Sequence, residues 1–116
     1  MKFFRNQRVG SLIRDELSKI ILKELEFNGA LMTITDVEVN DDLENAVVNF
    51  SVIPMNKSER VLSVLNKFRS RLQFMLHRKI EIRPMPQIVF KIDHGIEKAA
   101  EVEKIFLEVE KKEKNP

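Results

Sequence analysis

The 116-residue chain has no cysteine, no tryptophan and no tyrosine, and only three glycines and four prolines. Without cysteine, disulfides and thiolate-held metals are excluded, a usage that fits a reducing cytoplasm. The glycines, Gly10, Gly29 and Gly95, stand alone, so no phosphate-cradling loop can be drawn from them. No stretch approaches the roughly 20 apolar residues of a membrane span. The opening Met1–Arg8 lacks the apolar run of a secretion signal. Nothing has the spacing of a nucleophile elbow or a metalloprotease helix, and His77 and His94 are isolated. The expectation is a cytoplasmic protein that is not an enzyme and carries no cofactor or metal.

Charge of one sign is missing over long stretches. Residues 24–56 hold seven acids and no base, whereas residues 57–91 hold nine bases against two acids. Residues 1–23 are basic by six to two, and residues 92–116 are mildly acidic by seven to five. The formal net charge of +2 therefore hides a concentrated basic surface. The acidic run Asp36, Glu38, Asp41, Asp42 and Glu44 does not have the spacing of a calcium loop, and reads as a polar strand face and a turn.

Val9, Ile13, Leu17, Ile20, Ile21 and Leu25 step by three and four, which predicts a helix over 5–25 closed by Asn28-Gly29. Val37 and Val39 alternate with polar residues, and so do Ala46, Val48, Phe50 and Val52. With Asn40-Asp41-Asp42 between them, these two strands form an antiparallel hairpin. A second helix, with Ser58 as its expected N-cap, runs over 58–79 and stops before Pro84 and Pro86. Ile88, Phe90 and Ile92 mark a third strand, expected to return to the hairpin by a crossover. Ile96, Ala99, Ala100, Phe106 and Val109 suggest a last helix. The fold class is α+β, a three-stranded sheet with helices packed on one face, in the order α-β-β-α-β-α. It forms one domain over 1–110, and 111–116 is a charged tail expected to be disordered.

At about 100° per residue, Arg60, Lys67, Arg71 and Arg78 fall within an arc of about 40° on the second helix. Val61, Leu65, Phe68, Leu72 and Leu76 form a separate apolar arc that faces the sheet. In a straight helix Phe74 lies within about 40° of the basic stripe rather than on the apolar arc. Cations that neutralise phosphates, with an aromatic ring among them to stack on an unpaired base, are the parts of a nucleic-acid surface. Arg5 and Arg8 on the first helix, and Lys79 and Arg83 at the far end of the second, extend the patch; Arg69 sits off the stripe. A merely solvated face is the bland reading. A membrane-surface helix is disfavoured because its apolar side is committed to the core.

Arg8-Val9, Ile13, Glu16-Leu17 and Ile20 resemble the opening of the bacterial ribosome-binding factor A family. Val37-Glu38-Val39, Asp42-Leu43, Ala46 and Val48 are similar to its hairpin, and Arg83, Pro86, Ile88, Phe90 and Asp93 to its last strand. The similarity runs over residues 5–107, and the combination carries it rather than any single motif. The resemblance implies a type II KH-like fold and an assembly factor that binds the free, immature small (30S) ribosomal subunit. It further implies help with late maturation and 16S rRNA processing near the 5′-terminal helix of that RNA. The expected partners are 16S rRNA and the 30S subunit, with ribosomal proteins as a further possibility and no membrane, and the protein is expected to act as a monomer. In that family the helix is kinked at an Ala-x-Gly sequence. The matching position here is Phe68-Arg69-Ser70, with neither small residue, and the family's Asp-Pro-Arg after the first helix is replaced by Glu26-Phe27-Asn28. The alternatives are a protein–protein docking or dimerisation module using complementary charge blocks, and a general KH-like RNA-binding domain with another target.

Overall fold

The computed structural model describes residues 2–95. The predicted last helix and the charged tail lie outside the described residues. Within them the order is α1 (Lys2–Glu24), β1 (Leu31–Val39), β2 (Asn45–Ile53), a 3-10 turn (Met55–Lys57), α2 (Ser58–Lys67), α3 (Arg69–Lys79) and β3 (Gln87–Ile92). The sheet order is β1-β2-β3, with β1 and β2 antiparallel and β2 and β3 parallel. The architecture is a type II KH-like α+β domain, with the helices on one face of the sheet.

Alternation in β2 and β3 puts Ala46, Val48, Phe50, Val52, Ile88 and Phe90 inside. Phe50 and Phe90 meet edge to face, with ring centroids 6.4 Å apart. β1 is less regular. Met32 and Ile34 face the helices on even positions, but Val37 and Val39 do so on odd ones. Side chains in a strand alternate with period two, so such a switch requires one extra residue. The register accordingly slips between Ile34 and Asp36, leaving Thr35 as the bulge. Its hydroxyl lies 3.2 Å from the Asn49 carbonyl and donates to Asp93 Oδ2 at 2.7 Å, so the bulge is tied to the residue that follows β3.

The hairpin turn is closed by the Asn40 side chain, whose Oδ1 accepts the Asn45 N–H at 2.9 Å. Inside the turn, Leu43 takes φ of +60° while being almost fully buried. A left-handed leucine costs about 1–2 kcal/mol, which burying its side chain, worth about 1.5–3 kcal/mol, offsets.

α1 lies on β1 and buries Val9, Ile13, Leu17, Ile20 and Ile21. It approaches β1 most closely at Gly10, where a Cβ would sit 2.8 Å from the Val37 carbonyl oxygen. α2 rests on β2 and β3 through Val61 and Leu65, and α3 packs on α1 through Leu72 and Leu76. Gln73 fastens α3 to β3: its amide nitrogen donates to the Pro86 carbonyl at 2.9 Å, and its oxygen accepts the Ile88 N–H at 2.8 Å.

Two local expectations are corrected. The helix over 58–79 is interrupted at Phe68, whose φ of −99° and ψ of 8° belong to neither helix. Its N–H still bonds back to the Val64 carbonyl at 3.1 Å, while its own carbonyl opens α3 by accepting the Leu72 N–H at 2.9 Å. The break therefore occurs without an alanine or a glycine. It redirects α3 from the sheet onto α1, and the half-buried Phe68 ring packs on the core at the joint. Ser58, expected as the N-cap, is instead the first residue of α2. The preceding 3-10 turn already takes its N–H to the Met55 carbonyl, Lys57 occupies the cap position, and Ser58 Oγ is buried without a hydrogen-bond partner.

Candidate nucleic-acid interface

The nine sequence-predicted residues, Arg5, Arg8, Arg60, Lys67, Arg71, Phe74, Arg78, Lys79 and Arg83, are all exposed. Two contacts show how α1 and α3 bring the separate basic segments together. Arg5 Nη2 donates to the Arg83 carbonyl at 3.5 Å, so the start of α1 lies beside the loop that leaves α3. At the opposite end, Arg71 Nη2 donates to Glu24 Oε2 at 3.4 Å, joining the first turn of α3 to the last turn of α1. The two helices thus run antiparallel. Lys23 is a further exposed cation in the last turn of α1.

On α3, Leu72 and Leu76 turn inward while Arg71, Phe74 and Arg78 turn outward. Phe74 is 61% exposed. The Arg78 guanidinium lies 5.9 Å from its ring centroid, one helical turn on. The exposure expected of a straight helix survives the break, because Phe74 and Arg78 lie on the same side of it as Arg71. Lys67 ends α2, its ammonium 5.7 Å from the centroid of the Phe68 ring at the joint. Arg60 stands in the first turn of α2, away from the α3 group.

Arg78 and Lys79 occupy the last turn of α3, where the helix dipole favours cations. Of the nine, Arg71 alone is held by a carboxylate among the described residues, and that pair is a solvent-exposed one. Such a surface can bind a polyanion by replacing its condensed counterions, and can offer one aromatic face to a base. Among the described residues no group of three or more potential metal ligands occurs, and no helix is long and apolar enough to cross a membrane.

The sequence profile of the ribosome-binding factor A family matches residues 5–106. The chain is 34% identical over 114 residues to the ribosome-binding factor A of Coprothermobacter proteolyticus, covering 97% of this chain and 83% of that one. It is 32% identical to that of Caldanaerobacter subterraneus subsp. tengcongensis, covering 95% of this chain and 93% of the other. In structure it is similar to crystalline ribosome-binding factor A from Thermus thermophilus, with a TM-score of 0.64 at 20% identity over 75% of this chain and 94% of that one.

Proposed function

Because the chain belongs to the ribosome-binding factor A family, we propose that it is a cytoplasmic accessory factor that binds the free, immature 30S subunit through 16S rRNA. It assists late maturation and rRNA processing, near the 5′-terminal helix of that RNA, by binding rather than by catalysis. The protein acts as a monomer, with a single domain over 1–110. Arg60, Lys67, Arg71, Arg78, Lys79 and Arg83 supply phosphate contacts, Arg5 and Arg8 extend them along α1, and Phe74 offers its ring to an unpaired base. The observation that supports this reading most is the antiparallel packing of α1 on α3. It gathers basic residues some 80 positions apart in sequence onto one exposed flank.

Co-sedimentation at graded salt tests it. The protein is expected to travel with free small subunits, to be absent from whole ribosomes, and to dissociate steeply as salt rises. Salt-insensitive self-association with no subunit binding would instead establish a protein–protein docking module. Equal binding to unrelated RNAs would leave only a general KH-like RNA-binding domain.

A further inference from the structure

A cavity of about 210 Å³ lies between the connection from α1 to β1 and the first two turns of α2. Its lining is apolar on the inside, from Phe27, Ala30, Val61 and Val64, and polar at the edge, from Glu26 and Arg60. Its wall is tied in place. Lys57 Nζ donates to the carbonyls of Asn28 at 3.4 Å and Gly29 at 3.2 Å, strapping the connection to the start of α2. Gly29 stands at φ of +72°, the left-handed region that favours glycine. The ammonium of Lys57 is thereby turned towards the strap, whereas Arg60 remains exposed and without an ion-pair partner among the described residues.

We propose that this cavity is a second contact point for RNA, taking one unpaired nucleobase of the strand whose phosphates follow the basic flank; the inference rests on the RNA-binding reading above. Three observations carry it. Sites for drug-sized ligands run to roughly 300–1,000 Å³, so this smaller volume suits a single ring system rather than a peptide segment. Phe27 supplies an aromatic surface among aliphatic groups, which suits a flat base, and Glu26 at the edge accepts hydrogen bonds from exocyclic amines or ring N–H groups. Arg60 lines the cavity from the first turn of α2, apart from the α3 cations, so a phosphate held there delivers its base to the cavity mouth.

The test compares a 12-nucleotide single-stranded RNA with a ribose-phosphate oligomer of the same length that carries no bases. The wild-type chain is expected to bind the base-bearing strand about 25- to 100-fold more tightly at equal salt, the Phe74 ring and the cavity each supplying about 5- to 10-fold. Val64→Phe fills the cavity without changing any charge, and is expected to remove the cavity's share of that discrimination, about 5- to 10-fold, while preserving the salt slope. The chain contains no tryptophan, so Phe27→Trp places a sole emitter in the cavity, to be quenched by the base-bearing strand and not by the base-free one. Equal binding of both oligomers by the wild type, or no differential quenching, would overturn the proposal while leaving RNA binding intact. If Val64→Phe also weakens subunit capture although the bases make no difference, the cavity holds a ribosomal-protein side chain, which likewise overturns it. No salt-dependent binding of either oligomer would sink the RNA reading itself.

Discussion

Replacing Arg71 and Arg78 together by alanine removes two cations from α3 while leaving its buried side, Leu72 and Leu76, untouched. Each phosphate no longer neutralised lowers the slope of log affinity against log salt by roughly 0.7–0.9, so two lower it by about 1.4–1.8. At 0.1 M salt two full contributions of this kind set an upper limit of about 25- to 60-fold on the weakening of affinity. The two arginines do not contribute equally. Arg71 is already held by Glu24 at 3.4 Å, and an exposed pair of this kind is worth about 0–1 kcal/mol, which Arg71 gives up on turning to RNA. Arg78→Ala should therefore cost about 5- to 8-fold alone, Arg71→Ala less, and Glu24→Gln should tighten binding modestly. Both arginines are exposed, so the melting temperature of the double variant should stay within about 3 °C of wild type. The assay is co-sedimentation with free small subunits between about 0.05 and 0.2 M salt. A folded double variant with unchanged affinity and unchanged slope would remove α3 from the interface.

Ser58→Ala should leave stability unchanged or raise it, read by urea unfolding. A true N-cap would lose about 1 kcal/mol, but this hydroxyl has no partner and alanine is the better helix former. Gly10→Ala sets a helix-propensity gain of about 1 kcal/mol against the 2.8 Å approach of its Cβ to the Val37 carbonyl. Backbone offers little relief, so a net loss of about 1–2 kcal/mol is expected, and a variant more stable than wild type would contradict the packing of α1 on β1. Phe74→Ala, at an exposed position, should not lower the melting temperature yet should weaken binding of single-stranded RNA about 5- to 10-fold. A melting temperature well below wild type would show that the ring has a structural role.

The sequence was most legible where a single periodicity governs a whole element. β2 alternates without interruption and its four inward residues are the predicted ones; α1 and β3 behave alike. Legibility failed where two demands meet in one segment. In β1 the inward phase changes at Thr35, so the alternation of Val37 and Val39 does not carry back through the bulge to Met32 and Ile34. Leu43 sits in what looked like a polar turn because its apolar side chain is directed inward by a positive φ that no leucine pattern announces. The interruption at Phe68 was obscured because Leu65 and Leu72 are seven residues apart, which keeps them on one face with or without a break. What decides the bend is the availability of α1 as a packing partner for α3, a tertiary fact. The candidate site shows the same division. The outward placement of Arg71, Phe74 and Arg78 followed from angles along α3 alone, whereas the break at Phe68 set Arg60 apart from them. The junction of Arg5 with Arg83, and the capture of Arg71 by Glu24, depend on which helix lies beside which.

The charge blocks are not simply turned to opposite sides of the molecule. Asn6, the neighbour of Arg5, donates to Asp41 Oδ1 at 2.9 Å, so the acidic hairpin turn abuts the start of α1. Along the basic flank the positive potential is consequently graded. At one end Glu24 engages Arg71, at the other Asp41 is bonded to Asn6, next in sequence to Arg5, and Arg78 carries no ion pair among the described residues. At physiological salt the Debye length is about 8 Å, shorter than the roughly 10 Å of helix between Arg71 and Arg78, so an RNA phosphate at Arg78 is largely screened from Glu24. On the RNA-binding reading, the outer part of α3 is then the electrostatic centre of the contact, and the acidic turn is its boundary. A strand displaced past Arg5 towards the hairpin meets Asp41, Asp42 and Glu44, and is repelled. Position along the flank is thus selected by where the acids begin as much as by where the cations lie.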